Sequence, residues 1–330
     1  MNPAFATLHG LLGTSPRFVE AVDQLRRFAR SDCTLLIEGE TGTGKEVAAR
    51  MVHEESSRRG KPFIPVNCGS LPEGLAEAEL FGCEKGAYTD ARESRRGLVA
   101  EADGGTLFLD EVEAMPFRAQ VALLRFLQDG SYRPVGASRP GHGNVRVTAA
   151  TNESLEALRV RNQFRSDLLL RLNVLAVALP PLRERGEDVL AIARDCLHRF
   201  STQHRLPEPV LAPETEAWFR RYPWPGNIRE LENILLRHLL LCGDGILAIA
   251  PPDGCCDGPA QPTASGTQSF AAAKAEAIAD FERHYLRTIL TRTGGNVSWA
   301  ARLAGTDRSA LRKLLRRHGL QPDSFRLPPS

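Results

Sequence analysis

No stretch of this chain reaches the roughly 18 consecutive apolar residues that a membrane helix needs, so a membrane-spanning protein is not expected. The first residues, Met1-Asn2-Pro3-Ala4-Phe5, lack the basic start and long apolar run of a secretory signal. Seven cysteines occur, none at metal-ligand spacing, and Cys255-Cys256 is a vicinal pair in a Pro/Gly-rich stretch. An odd, unpatterned set fits reduced thiols, and the chain reads as cytoplasmic. There is no internal repeat. Strong overall charge is also missing: 42 basic against 40 acidic residues leave +2. That near-balance conceals an uneven distribution. Residues 281–320 carry nine Lys/Arg and two Asp/Glu, a surplus of +7 that leaves −5 for the remainder and marks a candidate nucleic-acid-binding end.

What is present begins with composition. Hydrophobic and charged fractions of 42% and 25% are those of a folded globular protein, and 330 residues are enough for two or three domains. The chain is organised around Gly39-Glu40-Thr41-Gly42-Thr43-Gly44-Lys45-Glu46, which follows the apolar run 34–37 and precedes a helical pattern over 47–52. Strand, glycine-rich loop and helix in that order are the context of a phosphate-binding loop. Its inward-pointing N–H groups, the helix N-terminus and the Lys45 ammonium then hold a nucleoside triphosphate. Glu46 occupies the place where a Ser or Thr hydroxyl commonly holds Mg²⁺.

Further strand-like runs at 63–66, 106–109, 145–150 and 174–179 alternate with helical patterns, including a helix over 116–128. This predicts a parallel α/β sheet covered on both faces, over residues 8–180. Pro180-Pro181 breaks the chain, and two or three amphipathic helices follow as a helical unit over 181–250. Residues 251–269, rich in Pro, Gly and small polar residues, read as a linker.

The run Gly104 to Glu111 is an apolar strand ending in two carboxylates. At the C-terminal end of a neighbouring strand, Asp110 is placed to hold Mg²⁺ and Glu111 to polarise an attacking water, which points to ATP hydrolysis. Asn152, at the end of the 145–150 strand, is a candidate to orient that water.

The succession GETGTGKE, VNCGSL, ELFGCEKGAYTDA, GGTLFLDE, AATN, FRSDLLLRL, LPPLRER and WPGNIRELEN resembles the AAA+ domain of the sigma-54-dependent transcriptional activators, the bacterial enhancer-binding proteins. The resemblance runs from about Leu11 to Cys242. In that family the loop ends in Lys-Glu, so Glu46 conforms to it. The resemblance implies that Asn67 is a switch partner of Glu111 and that Thr151 and Asn152 are sensors. It implies that Arg165 and Arg171 are arginine fingers reaching the ATP of an adjacent subunit, and that Arg229 is a lid arginine sensing nucleotide in cis. Shared fingers imply a ring, in this family usually a hexamer.

Gly86-Ala87-Tyr88-Thr89-Asp90-Ala91 falls where the family carries its GAFTGA loop, the contact with sigma-54. Tyr88 keeps an aromatic ring. Asp90 replaces a glycine and adds a negative charge. The loop keeps its length and its Gly-Ala-aromatic-Thr core, which favours retained activation.

At the C-terminal end, a helix over 282–292 ends at Gly294-Gly295-Asn296, a short helix spans 297–304, Gly305 turns, and Thr306 or Asp307 caps a third helix. This is a helix-turn-helix plan over 270–330. On the third helix Leu311, Leu314 and Leu315 face the core. Arg308, Ser309, Arg312, Lys313 and Arg316 lie on the open side toward bases and phosphates. The segment is similar to the Fis-type domain of the same activators, and paired half-sites predict inverted-repeat DNA targets.

The expectation is an ATP-hydrolysing ring that binds upstream DNA and remodels sigma-54 RNA polymerase from closed to open promoter complex. Two other readings stand beside it: a DNA-binding regulator or repressor that uses ATP but opens no promoter, favoured by Asp90, and a general AAA+ remodeller. Fewer than a dozen residues precede the sheet, so control by a trans-acting regulatory protein or by expression level is expected.

Overall fold

The computed structural model describes residues 11–87, 93–241, 245–252, 296–304 and 308–318, with Glu282, Leu286, Ile289, Leu290, Thr293 and Thr306. Two compact units divide the chain, Met1–Ala250 and Pro251–Ser330.

Five strands form the sheet of the first unit: β1 (Leu35–Glu38), β2 (Phe63–Asn67), β3 (Thr106–Asp110), β4 (Arg146–Thr151) and β5 (Leu175–Ala178). They lie in the order β2-β3-β4-β1-β5 and every pairing is parallel. Each apolar run of the sequence supplies one strand, within a residue or two of its expected ends. Successive residues of a strand face opposite layers. Leu36, Leu107, Leu109, Val147 and Ala149 enter one core, while Leu35, Ile37, Phe108, Ala150 and Val177 enter the other. The second core is closed by α1 (Pro16–Ala29) and α2 (Lys45–Glu54). The first is closed by α3 (Ala76–Phe81), α4 (Phe117–Asp129), α5 (Leu155–Val160) and α6 (Ser166–Leu172). Leu35, Leu36 and Ile37 are fully buried, each worth about 1.5–3 kcal/mol of apolar transfer, so the strand that delivers the glycine-rich loop is held firmly.

Both ends of α1 are pinned by distant charges. Arg146 on β4, itself buried, donates to the carbonyls of Phe28 and Ala29 at 2.8 and 3.2 Å, placing a cation at the helix C-terminus. At the other end the Asp188 carboxylate accepts the N–H of Thr14 at 2.7 Å and of Ser15 at 3.3 Å. Asp188 pairs with Arg185 at 3.2 Å, both side chains 1% exposed. Arg185 also donates to the Leu12 carbonyl and lies 3.7 Å from the Phe18 ring centroid.

The lid follows as α7 (Asp188–His204), α8 (Pro213–Phe219) and α9 (Asn227–Leu241), packed around Phe219, Trp224, Leu231 and Leu235. The lid also carries a short strand pair that does not extend the main sheet. Val210–Leu211 and Ile246–Leu247 form a short parallel pair, too brief to leave a periodic signal.

In the second unit, α10 (Val297–Leu303) and α11 (Arg308–Arg317) pack with Leu286, Ile289 and Leu290. Leu311 and Leu315 are buried and Leu314 is half-buried. Asn296 has two roles: its backbone N–H donates to the Thr293 carbonyl at 3.0 Å behind it. Its side-chain oxygen accepts the N–H groups of Ser298 and Trp299 at 3.1 Å each, capping α10, since an asparagine satisfies the orphan donors of a helix start. Of the linker expected over 251–269, residues 253–269 lie outside the described residues, as do Gly294-Gly295, Gly305 and Asp307.

Candidate functional site

The glycine-rich loop leaves the C-terminal end of β1 and enters α2 at Lys45. The Gly39 N–H donates to the Thr151 carbonyl at 3.1 Å, tying the loop to β4. Lys45 is buried, and its ammonium donates to the carbonyls of Gly39 at 2.7 Å and Glu40 at 3.1 Å. Burial pulls the Lys45 pKa down, opposed by Asp110, Glu113 and Glu111 nearby. Thr43 closes the turn with its hydroxyl on the Glu40 carbonyl at 2.8 Å. Gly42 has φ +79°, and a Cβ there would stand 2.3 Å from the Gly226 carbonyl oxygen, so the loop meets the lid where only glycine fits.

The two carboxylates stand at the end of β3, with Asp110 in register with Asn67 of β2. Burial pushes the Asp110 carboxyl up, while the Glu111 N–H at 3.1 Å and Lys45 hold it down. Glu111 adopts φ 52°, ψ 48°, a left-handed backbone that costs a non-glycine residue about 1 kcal/mol or more and reverses the chain at the site. Asn67 directs its side-chain oxygen to the Ser70 N–H at 3.1 Å. Among the described residues no hydrogen bond joins Asn67 to Glu111. Both nevertheless flank Gly69, where a Cβ would lie 3.0 Å from Glu111 Oε2 and 3.2 Å from Asn67 Oδ1.

Asn152 sits beyond β4 with its side-chain amide 3.5 Å from the Thr41 hydroxyl, and the Thr151 hydroxyl donates to the Glu153 carbonyl at 2.8 Å. The Asn152 N–H donates to Glu113 Oε1 at 3.3 Å, while Glu113 Oε2 is buried without a partner. Sequence reasoning missed Glu113, although it lies two residues past Glu111 and a third acid was in plain view. Glu46 is exposed on α2 and bonds Arg50 at 3.2 Å.

The lid supplies the facing wall through Ile228 and Arg229, and Arg229 Cβ lies 3.1 Å from the Cβ position at Gly42. Together these residues enclose a cleft of about 530 Å³. Lys45, Glu46, Asp110, Glu111, Asn152 and Arg229 supply charged and polar lining, while Leu11, Leu12, Phe18, Ile192 and Ile228 supply an apolar part. A flat apolar group joined to an anionic chain matches that division. No group of three or more His, Cys, Asp or Glu side chains suited to a metal occurs among the described residues. A Mg²⁺ ion held by one carboxylate with phosphates and water needs no such group.

Neither Arg165 nor Arg171 lines this cleft. Arg165 forms a two-pronged pair with Asp167 at 3.0 and 2.7 Å and lies 5.4 Å from the Phe117 ring centroid. Arg171 is exposed on α6. Gly86 and Ala87 lie between the two strands of a short antiparallel pair, Gly82–Cys83 with Arg95–Arg96, and the Ala87 N–H donates to the Glu84 carbonyl at 3.1 Å. Tyr88, Thr89, Asp90 and Ala91 lie outside the described residues. In the second unit Arg308, Ser309, Arg312, Lys313 and Arg316 are all exposed on α11.

The family described as the sigma-54 interaction domain matches residues 11–178, the AAA+ ATPase lid domain matches 183–251, and the bacterial regulatory protein, Fis family, matches 277–318. The transcriptional regulatory protein GlrR of Escherichia coli K12 is 40% identical over 312 residues, covering 94% of this chain and 68% of its own. The DNA-binding transcriptional regulator NtrC of the same strain is 39% identical, over 94% of this chain and 70% of its own. Crystal structures of NtrX from Brucella abortus with ADP and with ATP superpose with a TM-score of 0.71 at 33% and 32% identity, covering 94% of this chain and 70% of theirs.

Proposed function

Since the chain belongs to the sigma-54-dependent transcriptional regulators, with an AAA+ domain and a Fis-type helix-turn-helix, we propose that it hydrolyses ATP to remodel sigma-54 RNA polymerase at promoters. The observation that carries this reading is the convergence of Lys45, Asp110, Glu111, Asn152 and Arg229 on one cleft. The phosphates lie along the loop N–H groups and the N-terminus of α2, and Lys45 turns from its two carbonyls to them. Asp110, beside Lys45 at a strand end, would hold Mg²⁺, which would neutralise phosphate charge. Glu111 takes a proton from the attacking water, and Asn152 orients that water. Asn67 steadies Glu111 across Gly69, and Thr151 anchors the turn that carries Asn152.

Arg165 and Arg171, outside the cleft of their own subunit, reach the nucleotide of a neighbour in a ring, usually a hexamer in this family. The Gly86–Ala91 loop meets sigma-54. Arg308, Ser309, Arg312, Lys313 and Arg316 hold upstream DNA, as an inverted repeat if two copies bind. The protein acts in the cytoplasm; no helix among the described residues is long and apolar enough to cross a membrane.

ATP-dependent open-complex formation on a sigma-54 promoter, wild type against Lys45→Ala, tests the reading. Opening by wild type alone supports it. Hydrolysis without opening, unrescued by Asp90→Gly, moves the assignment to a regulator that does not open promoters.

A further inference from the structure

Glu40, the second residue of the phosphate-binding loop, is held from two sides. The Arg183 guanidinium makes two bonds to its carboxylate, at 2.8 and 2.6 Å. Asn227 at the start of α9 adds a third, from its amide to Glu40 Oε2 at 3.2 Å. Arg183 above all pulls the Glu40 carboxyl below its ordinary value against the opposing effect of burial, with a lesser contribution from Asn227. Asn227 also donates to the Thr41 carbonyl at 3.0 Å and accepts the Leu182 N–H at 2.7 Å. One residue further, the Ile228 N–H donates to the Gly42 carbonyl at 3.0 Å.

Asparagine suits this position. Residue 227 is fully buried at φ +51°, a backbone that asparagine tolerates better than most, and its amide supplies two donors and one acceptor, all used. Aspartate would face Glu40 with a second negative charge and no donor.

The same short peptide carries the resting place of Lys45. Its ammonium sits on the carbonyls of Gly39 and Glu40, and drawing it onto a phosphate releases both. Glu40, Thr41 and Gly42 are the three residues by which the loop is tied to the lid and to the segment leading into it. Loop and lid are therefore mechanically joined, and Arg229 lies two residues beyond Asn227. We propose that Arg183 and Asn227 are positioning residues: with Glu40 they latch the lid to the phosphate-binding loop and set the reach of Arg229 toward the terminal phosphate. This rests on the nucleotide-hydrolysing reading above.

The test uses the full chain with Arg183→Met, Arg183→Lys, Asn227→Ala, Arg229→Ala and the Arg183→Met/Arg229→Ala double variant. Affinities for ADP and a non-hydrolysable ATP analogue are measured, with amide hydrogen exchange at Ile228 in nucleotide-free protein. Arg183 is 43% exposed, so Arg183→Met folds even if Asn227→Ala does not. The latch predicts that Arg183→Met weakens the ATP analogue about fivefold and ADP less than about twofold. Arg183→Lys regains part of the loss, and the double variant is no worse than Arg229→Ala. Ile228 exchange rises about fivefold. Equal losses for ADP and the analogue, or effects of Arg183→Met and Arg229→Ala that multiply, overturn the proposal. If the wild type binds neither nucleotide, the functional reading fails separately, and unchanged Ile228 exchange then removes the latch as well.

Discussion

Glu113 accepts the backbone N–H of Asn152 with one carboxylate oxygen at 3.3 Å, and its other oxygen is buried with no partner. A buried acceptor left unsatisfied costs about 1–3 kcal/mol, so its retention beside Lys45, Asp110 and Glu111 calls for a role in the site. Glu113→Ala frees the turn that carries Asn152 and lowers ATPase kcat about tenfold, with KM within about threefold. Glu113→Gln keeps an acceptor for Asn152 and retains most of the rate. Steady-state ATPase assays decide; equal losses in both variants would mean that the charge, not the hydrogen bond, matters.

Arg165 is engaged with Asp167 in the isolated chain and stands outside its own cleft. If it serves a neighbour, Arg165→Ala and Lys45→Ala subunits, each inactive alone, produce competent sites when mixed. The mixture should hydrolyse ATP at least about tenfold faster than either variant. No recovery at any mixing ratio argues for action in cis or none.

His53 is buried, 2.9 Å from the Thr106 hydroxyl and against the Phe63 ring. Burial lowers its pKa below the ordinary 6.5, partly offset by Glu54. The unfolded chain therefore takes up the proton first as pH falls. The stability contributed by neutral His53 is complete above the unfolded pKa and is lost as pH falls from there through the folded pKa. Thermal melts from about pH 7.5 to pH 5.5 should show wild type losing about 2–4 °C more than His53→Gln. Parallel curves would assign the titration elsewhere.

Arg312 and Lys313 are exposed on α11. Replacing either with Ala should lower the slope of log affinity against log salt by about one on duplex DNA, uniformly across sequences for a phosphate contact. A loss confined to one base position would instead identify a base contact. Unchanged binding for both would move the DNA face away from this helix.

What was legible in the sequence is what local chemistry writes down. An apolar run followed by GETGTGKE specifies strand, turn and helix within a few residues, and β1 with α2 follows it closely. The fully buried strands announced themselves as continuous apolar runs because both faces of a parallel sheet are covered. The approach of Asn227 to Glu40 spans 187 residues, and no spacing encodes it. The orientation of Glu113 depends on the left-handed backbone at Glu111, which sequence alone does not give. Asn296 is legible as the end of one helix, but that its side chain also caps the next is visible only in the hydrogen bonds.

The buried Arg185–Asp188 pair has a consequence for how the protein is made. Asp188 secures Thr14 and Ser15 across 174 and 173 residues, and Arg185 lies on the ring of Phe18, in the wall of the cleft. A nascent chain emerging from the ribosome can pair β1 with β4, and so hold the C-terminal end of α1 through Arg146, and still lack the partner that fixes its start. That wall waits for the start of the lid to be translated. The part of the cleft wall at Phe18 and Arg185 is thus completed only after the strands of the sheet have been made.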